Sequence, residues 1–351
     1  MTLLHADGFD SQMALSSGIY REHASYTASI PTFVTGRLGT GYAFQTQSDN
    51  TGSTNIRTDI PATTTIIAGW AWYPTTVYAS RTENQASFII GNTGTVLKVC
   101  FDPTTQAVTV RTGAESSTGT ALATASEGVT LNTWDYWEIK VVASTGTSGS
   151  IILRKNGVEV ANVTGINTQA DSYNEVGFHL GGTSTYSAYS GAHRADDWYV
   201  CDAQGTVNND FLGDVSVLAI QPSGNGSNSG LTGSDGDSTD NYALVDEAPP
   251  STADYVGSAT PGDKDTYAYS DIPTDGSIKG VMVRSYAAKS DTGTVSGRNV
   301  ALHSGTTVNG TDAALSTDYK SFSTVLEDVP GGSGWTPAQV NAAEFGWEVR
   351  A

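Results

Sequence analysis

Positive charge is what this chain has least of. Its 351 residues include 17 Lys and Arg against 36 Asp and Glu, a formal net charge of −19. The deficit is spread evenly: residues 1–221 hold 10 basic and 19 acidic residues, and residues 222–351 hold 7 and 17. Nowhere do Lys and Arg cluster in the sequence. Sequence-independent nucleic-acid binding, which works by neutralising phosphates, is therefore not expected. Cysteine is nearly absent too, with Cys100 and Cys201 the only two. Two cysteines make no disulfide framework. Each lies in an apolar run, VLKVCF and WYVCD, so both read as buried thiols, with a single disulfide the other possibility. No apolar run approaches the roughly 18 residues of a membrane span, and no membrane insertion is expected. The N-terminal MTLLHADGFDS lacks a basic segment leading into an apolar one. No signal peptide is expected there, and synthesis in a cytoplasm is.

Long helical periodicity is missing as well. In its place stand many short alternating runs separated by turn residues, with 39 Gly in the chain. That pattern predicts an all-β protein. The clearest run is Leu131–Val160. Trp137, Ile139 and Val141 alternate with Tyr136, Glu138 and Lys140, the period of a half-buried strand. Asn156-Gly157 then joins Ile151–Lys155 to Val158–Ala161, because a two-residue type I′ turn needs positive φ at both central positions. That register sets Leu153 opposite Val160 and Arg154 opposite Glu159. Further strands are predicted at 41–45, 66–73, 86–90, 96–101, 107–111, 175–180 and 196–201. Pro222–Asn241, PSGNGSNSGLTGSDGDSTDN, has almost no large apolar residue and reads as a linker or long surface loop. Residues 242–351 regain alternation, with strands at 242–245, 265–269, 278–286, 298–303, 319–325 and 344–349. A short helix at 337–341 is signalled by Thr336 as cap and Pro337 at the first helical position. The organisation read from this is a sandwich over 1–221, the 222–241 segment, and a smaller β-sandwich over 242–351.

Few residues suggest chemistry. Asp196 and Asp197 are paired acids that can hold Ca²⁺ together with Asp7 or Asp10 of a neighbouring N-terminal strand. The competing reading is that they bond backbone amides of a nearby turn. Asp235, Asp237, Asp240 and Asn241 look like a cation loop. In an EF-hand register, however, Asp240 stands where Gly is required and Asp246 where Glu is, so a solvated polar loop is expected. Trp70 and Trp72 share a face and read as core. Tyr186 and Tyr189, in the loop GGTSTYSAYSG, are the better candidates for stacking on a sugar ring. His5, His23, His179, His193 and His303 show no zinc spacing; His179 and His193 can approach across a loop. There is no E-x-D-x-x-E strand of the kind that places two carboxylates about a glycosidic bond. There is no G-x-S-x-G elbow either. No enzyme is expected on this evidence.

Two resemblances emerge from these residues. W-x-x-W-x-I-x-V followed by I-x-L-x-x-N-G-x-x-V, over 134–160, resembles concanavalin A-like, laminin-G-type jelly rolls. Asp196-Asp197-Trp198-Tyr199-Val200 resembles that fold's closing strand, which returns beside the N-terminal strand. This likeness covers roughly residues 1–215. Separately, DDWYVCDAQGTVNNDFLGDV, GSDGDSTDNYALVDE, GDKDTYAYSDIP and VNAAEFGWEV resemble a recurring module of tailed-bacteriophage virion proteins. That likeness implies a homo-oligomeric structural protein of the tail or particle surface, localised to the virion and contacting other virion proteins, with host glycan as a further partner. A capsid decoration or tail-assembly protein that binds no glycan, and a glycan-active enzyme with an unrecognised site, are the alternatives.

Overall fold

The computed structural model describes residues 2–12, 21–22, 32–45, 54–75, 85–92, 95–102, 104–113, 119–181 and 193–351. The chain forms two compact units, one of residues 1–10 and 20–218, the other of 11–19 and 219–351. The described parts are almost entirely antiparallel β-structure.

The first unit is a jelly-roll-type sandwich. Its strands are β1 (Leu3–Asp7), β2 (Arg21–Glu22), β3 (Thr32–Thr35), β4 (Tyr42–Gln45) and β5 (Thr54–Thr63). Then follow β6 (Thr65–Tyr73), β7 (Gln85–Asn92), β8 (Thr95–Phe101), β9 (Ala107–Thr112) and β10 (Ala121–Gly128). The last five are β11 (Asp135–Val142), β12 (Gly149–Lys155), β13 (Val158–Ile166), β14 (Tyr173–Gly181) and β15 (Arg194–Asp202). One sheet runs β13-β12-β11-β6-β15-β4-β3, with β1 also paired to β15; the other runs β10-β9-β8-β7-β14-β5-β2. The closing strand thus lies beside the N-terminal strand, as the likeness implied.

The core is aromatic. Trp70 stacks on Phe88 across the two sheets, with ring centroids 4.3 Å apart. Phe178 and Trp198 pack edge-on around them, and Trp72 meets Phe101 and Trp137. All seven rings are essentially inaccessible. Trp70 and Trp72 are therefore core, as their shared face suggested. Cys100 and Cys201 are both buried, and no disulfide joins them.

Asn156 and Gly157 have φ of 50° and 79°, as the tight hairpin demands. Beyond the turn the register departs from simple alternation. Arg154 opposes Glu159 as expected, but Leu153 opposes Ala161 rather than Val160. A bulge after Arg154 absorbs one residue, and such an insertion re-aims the side chains that follow. The outer side of β11 is also not solvated: Tyr136 is 1% and Glu138 0% exposed. Something polar must cover them, and it proves to be chain far along the sequence. β5 and β10 escaped the reading because TNIRTDIPAT and ALATASEG carry little apolar alternation.

The second unit packs β16 (Pro222–Ser229), β17 (Thr232–Gly233), β18 (Val256–Gly257), β19 (Lys264–Tyr269) and β20 (Val281–Ala287) with five later strands. These are β21 (Ser296–His303), β22 (Thr306–Asn309), β23 (Ala313–Ala314), β24 (Lys320–Leu326) and β25 (Glu344–Arg350). A sheet ordered β16-β19-β25-β21-β22 carries β23 on β21, and the separate two-stranded β20–β24 sheet packs on it over Val283, Ala301, Leu326, Trp335 and Phe345. The helix α1 (Pro337–Ala342) has the expected Thr336 cap, reciprocated by Gln339. Two expectations fail here. Residues 222–229 are an edge strand rather than linker or loop. Small residues suit that edge because β19 and β25 press close: a Cβ on Gly226 would lie 2.4 Å from the Thr266 carbonyl oxygen. The Ser227 N–H and hydroxyl both donate to the Glu344 carboxylate, at 2.7 and 2.6 Å. And 242–245 is not a strand: Asn241–Leu244 form a 3₁₀ turn after Asp240, whose φ is 55°.

The hairpin turn yields a graded test. The Asn156 carboxamide accepts from the Tyr136 N–H and donates to Asp135. Asn156→Ala should cost about 2 kcal/mol in urea unfolding, by losing both bonds and straining a positive φ. Asn156→Gly, which keeps the φ, should cost less.

Candidate functional site

Consecutive strand residues normally face opposite sides, yet Asp196 and Asp197 converge. The reason is a bulge in β15 between Asp196 and Tyr199, with Asp197 at φ 48°. Both carboxylates close on Arg37. Asp196 accepts the Arg37 N–H at 2.9 Å and the Asp197 N–H at 2.8 Å, one on each oxygen. Asp197 accepts Arg37 Nε–H at 2.5 Å and the Val217 N–H at 2.6 Å. The guanidinium also reaches Asp214 at 2.7 Å and donates to the Val215 carbonyl at 2.6 Å. All four oxygens of the aspartate pair thus accept N–H groups. Asp7 accepts the Phe9 N–H and Asp10 the Tyr42 N–H, at 2.6 and 2.7 Å. Among the described residues no three His, Cys, Asp or Glu converge as a metal site would require. The geometry is that of a clasp on Arg37 and on backbone amides, the competing reading of the pair, and not of oxygens gathered around Ca²⁺.

The clasp secures a strap. Residues 210–217 run over the outer face of β11 and β15, held at nearly every step. Lys140 pairs with Asp210 at 3.2 Å, and the Arg154 guanidinium sits 4.0 Å above the Phe211 ring. The Leu212 N–H donates to the Tyr199 hydroxyl, and the Gly213 N–H to Glu138. Tyr199 in turn donates to Glu138 at 2.5 Å. Gly69 makes this possible, since a Cβ there would lie 2.3 Å from the Tyr199 ring and 3.0 Å from Tyr136. This is the cover that alternation did not reveal.

The other sheet presents a different outer face. Phe88 and Val99 pair and point inward, so the next pair, Ile89 and Lys98, points outward. The same register row continues through Arg111 on β9 in one direction. In the other it passes Gly177 on β14 to Arg57 on β5. The row ends at Arg21 on β2, opposite Arg57, so four of the unit's ten basic residues share one row across six adjacent strands, roughly 24 Å long at ordinary strand spacing. Arg57 is matched by Glu175 at 2.5 Å. Lys98 and Arg111 stand directly opposite each other. Lys98 is 1% exposed and Arg111 half-buried. Arg111 Nε is buried and has no hydrogen-bond acceptor among the described residues. Burial pushes the neighbouring Cys100 thiol up to about 11, and the charges of Lys98 and Arg111 oppose that rise. No motif announced this row. Its members are far apart in sequence, and only strand order unites them.

The remaining candidates are placed as follows. Tyr186 and Tyr189 lie outside the described residues, as do His23 and the side chain of His179. His193 is in the core, 5.5 Å from the Phe101 ring and 6.5 Å from Trp72.

Two predictions follow from the buried charges. Arg37→Met leaves Asp197 without its partner and should destabilise the chain by about 3–5 kcal/mol in chemical denaturation. Arg37→Met combined with Asp197→Asn should cost less than the single change. The second concerns pH. Burial lowers the His193 imidazole from 6.5 to about 4. The folded state therefore binds fewer protons than the unfolded one between these values, and stability is lost as pH falls from 6.5 through 4. Burial first, then the Asp197 charge, push Asp196 up from 3.8 to about 8, against the two N–H bonds that favour its charged form. Its contribution has the opposite slope, full below 3.8 and lost as pH rises through 8. His193→Phe isolates the first effect. Relative to the parent it should gain about 2 kcal/mol between pH 7 and pH 4.5, measured by unfolding at both.

No family model matches the chain, and no curated protein does. Solved structures align with part of the chain at low similarity. An alginate lyase, Aly36B, aligns at 15% identity and TM-score 0.35, over 48% of this chain and 86% of that one. The endo-β-1,4-glucuronan lyase of Trichoderma reesei aligns at 13% identity and TM-score 0.39, over 56% and 94%. The cellulose-induced protein Cip1 aligns at 14% identity and TM-score 0.41, over 56% and 96%.

Proposed function

We propose that this chain is a structural protein of a tailed-phage particle whose N-terminal sandwich recognises an acidic polysaccharide of the host surface. The virion part of this reading rests on the four sequence segments that resemble phage structural proteins. Two of those segments, 262–273 and 340–349, meet where β19 pairs with β25, and a third, 233–247, holds the 3₁₀ turn whose Asn241 bonds Asp265 of β19. The remaining one spans β15 and the strap. They are scaffold rather than reaction centre, which suits a structural component.

The observation that carries the glycan part is the row of Arg21, Arg57, Lys98 and Arg111. In a chain of net charge −19, four basic residues in one register row oppose the general field of the molecule. A bound carboxylate or sulfate gives the Arg111 Nε–H an acceptor. Partial burial strengthens that interaction relative to one in open water.

Titration of the full chain with an acidic and a neutral polysaccharide tests the binding. Acidic polymer should bind, more weakly as salt rises, and neutral polymer should not. Arg111→Gln should weaken binding about 10- to 100-fold, the worth of one charge-assisted hydrogen bond. Equal binding of both polymers, or an indifferent Arg111→Gln, refutes the row as the site. Antibody labelling of purified particles tests the location: surface or tail labelling supports the virion reading, and its absence refutes it. Labelled particles with no polysaccharide binding would leave a decoration or assembly protein. Shortening of the polymer with an ultraviolet-absorbing unsaturated end would reveal an enzyme.

A further inference from the structure

We propose that the second unit holds a hard divalent cation, calcium by preference, between Asp235 and Asn241. The starting point is Asn241, which opens the 3₁₀ turn and is 1% exposed. Its amide nitrogen donates to the Leu231 carbonyl at 3.0 Å and to Asp265 at 2.6 Å. Both partners are acceptors; Asp265 itself accepts from the Leu231 N–H and the Tyr267 hydroxyl. The orientation of the Asn241 amide is therefore determined by its surroundings, and the oxygen must face the other way. That oxygen is buried and has no donor among the described residues. Leaving a buried carbonyl unsatisfied is costly, so a water or an ion is called for.

What the oxygen faces is the acidic loop. A methyl group on Gly233 would lie 3.2 Å from Asn241 Oδ1 and 2.5 Å from Asp235 Oδ1, so the two oxygens border the same glycine. Asp235 Oδ1 has only a long contact with the Asp237 N–H, at 3.3 Å. Asp237 is turned instead to the Thr239 N–H at 2.7 Å, and its own carbonyl receives the Gly233 N–H. The site thus offers one carboxylate and one amide oxygen, with water completing the shell. Asp237 and Asp240 add negative field without being ligands. Calcium accepts such irregular sets of neutral and charged oxygens, whereas magnesium demands a near-ideal octahedron. This differs from the EF-hand scheme, in which Asp240 and Asp246 are misfits. It also uses Asn241, whose role only the tertiary structure discloses.

With two protein ligands and an exposed carboxylate, affinity should fall in the weak range of about 10⁻⁴–10⁻³ M. The test is calorimetric titration of the chelator-treated full chain with CaCl₂ and with MgCl₂, up to about 10 mM, well above that range. One saturable calcium site per chain is expected, with magnesium weaker. Asp235→Ala, an exposed position that leaves the Asn241–Asp265 bond intact, should abolish it. Asp318→Ala, an exposed acid elsewhere in the same unit, should not. The proposal is overturned if the parent chain binds no calcium, which assigns Asn241 a water. It is equally overturned if Asp235→Ala binds as the parent does, or if Asp318→Ala loses as much.

Discussion

The stack of Trp70 on Phe88 is the contact on which the first unit depends. It joins the two sheets at their centre, and the inward direction of every neighbouring pair follows from it. Because Phe88 and Val99 point in, Lys98 must point out, and Arg111 and Arg57 with it. Because Trp137 points in, Glu138 and Tyr136 must point out and require a polar cover. The cationic row and the strap are both consequences of one buried aromatic layer, transmitted through strand register.

Under the strap the buried charges are largely paired within the chain, although Glu138 Oε2 and Arg154 Nε have no hydrogen-bond partner among the described residues. Arg37 is shared between Asp197, Asp214 and a carbonyl, and Glu138 between a hydroxyl and an amide. Such a clasp contributes specificity of fold more than net stability, since burying these ions offsets much of what their attraction provides. On the opposite sheet Lys98 and Arg111 stand opposite each other on β8 and β9, and Arg111 Nε has no hydrogen-bond partner among the described residues.

Much of the fold was legible because it was local. Alternation located β6, β8, β11 and β15, Asn156-Gly157 marked its hairpin, and Thr336-Pro337 marked α1. What was not legible was long-range. Asp196 and Asp197 looked like metal ligands because a bulge and a positive φ, invisible in sequence, turn both toward Arg37, some 160 residues earlier. The Gly/Ser-rich 222–229 read as linker because its β-character comes from β19 and Glu344 rather than from its own propensity. The cationic row was hidden for the same reason: strand order, not spacing, assembles it.

The most direct test is a crystal structure of the chain with an acidic oligosaccharide bound. The account predicts an anionic group of the sugar against Arg111, the accessible member of the Lys98–Arg111 pair. Sugar bound only on the strap side of the sandwich, or only on the C-terminal unit, would contradict it.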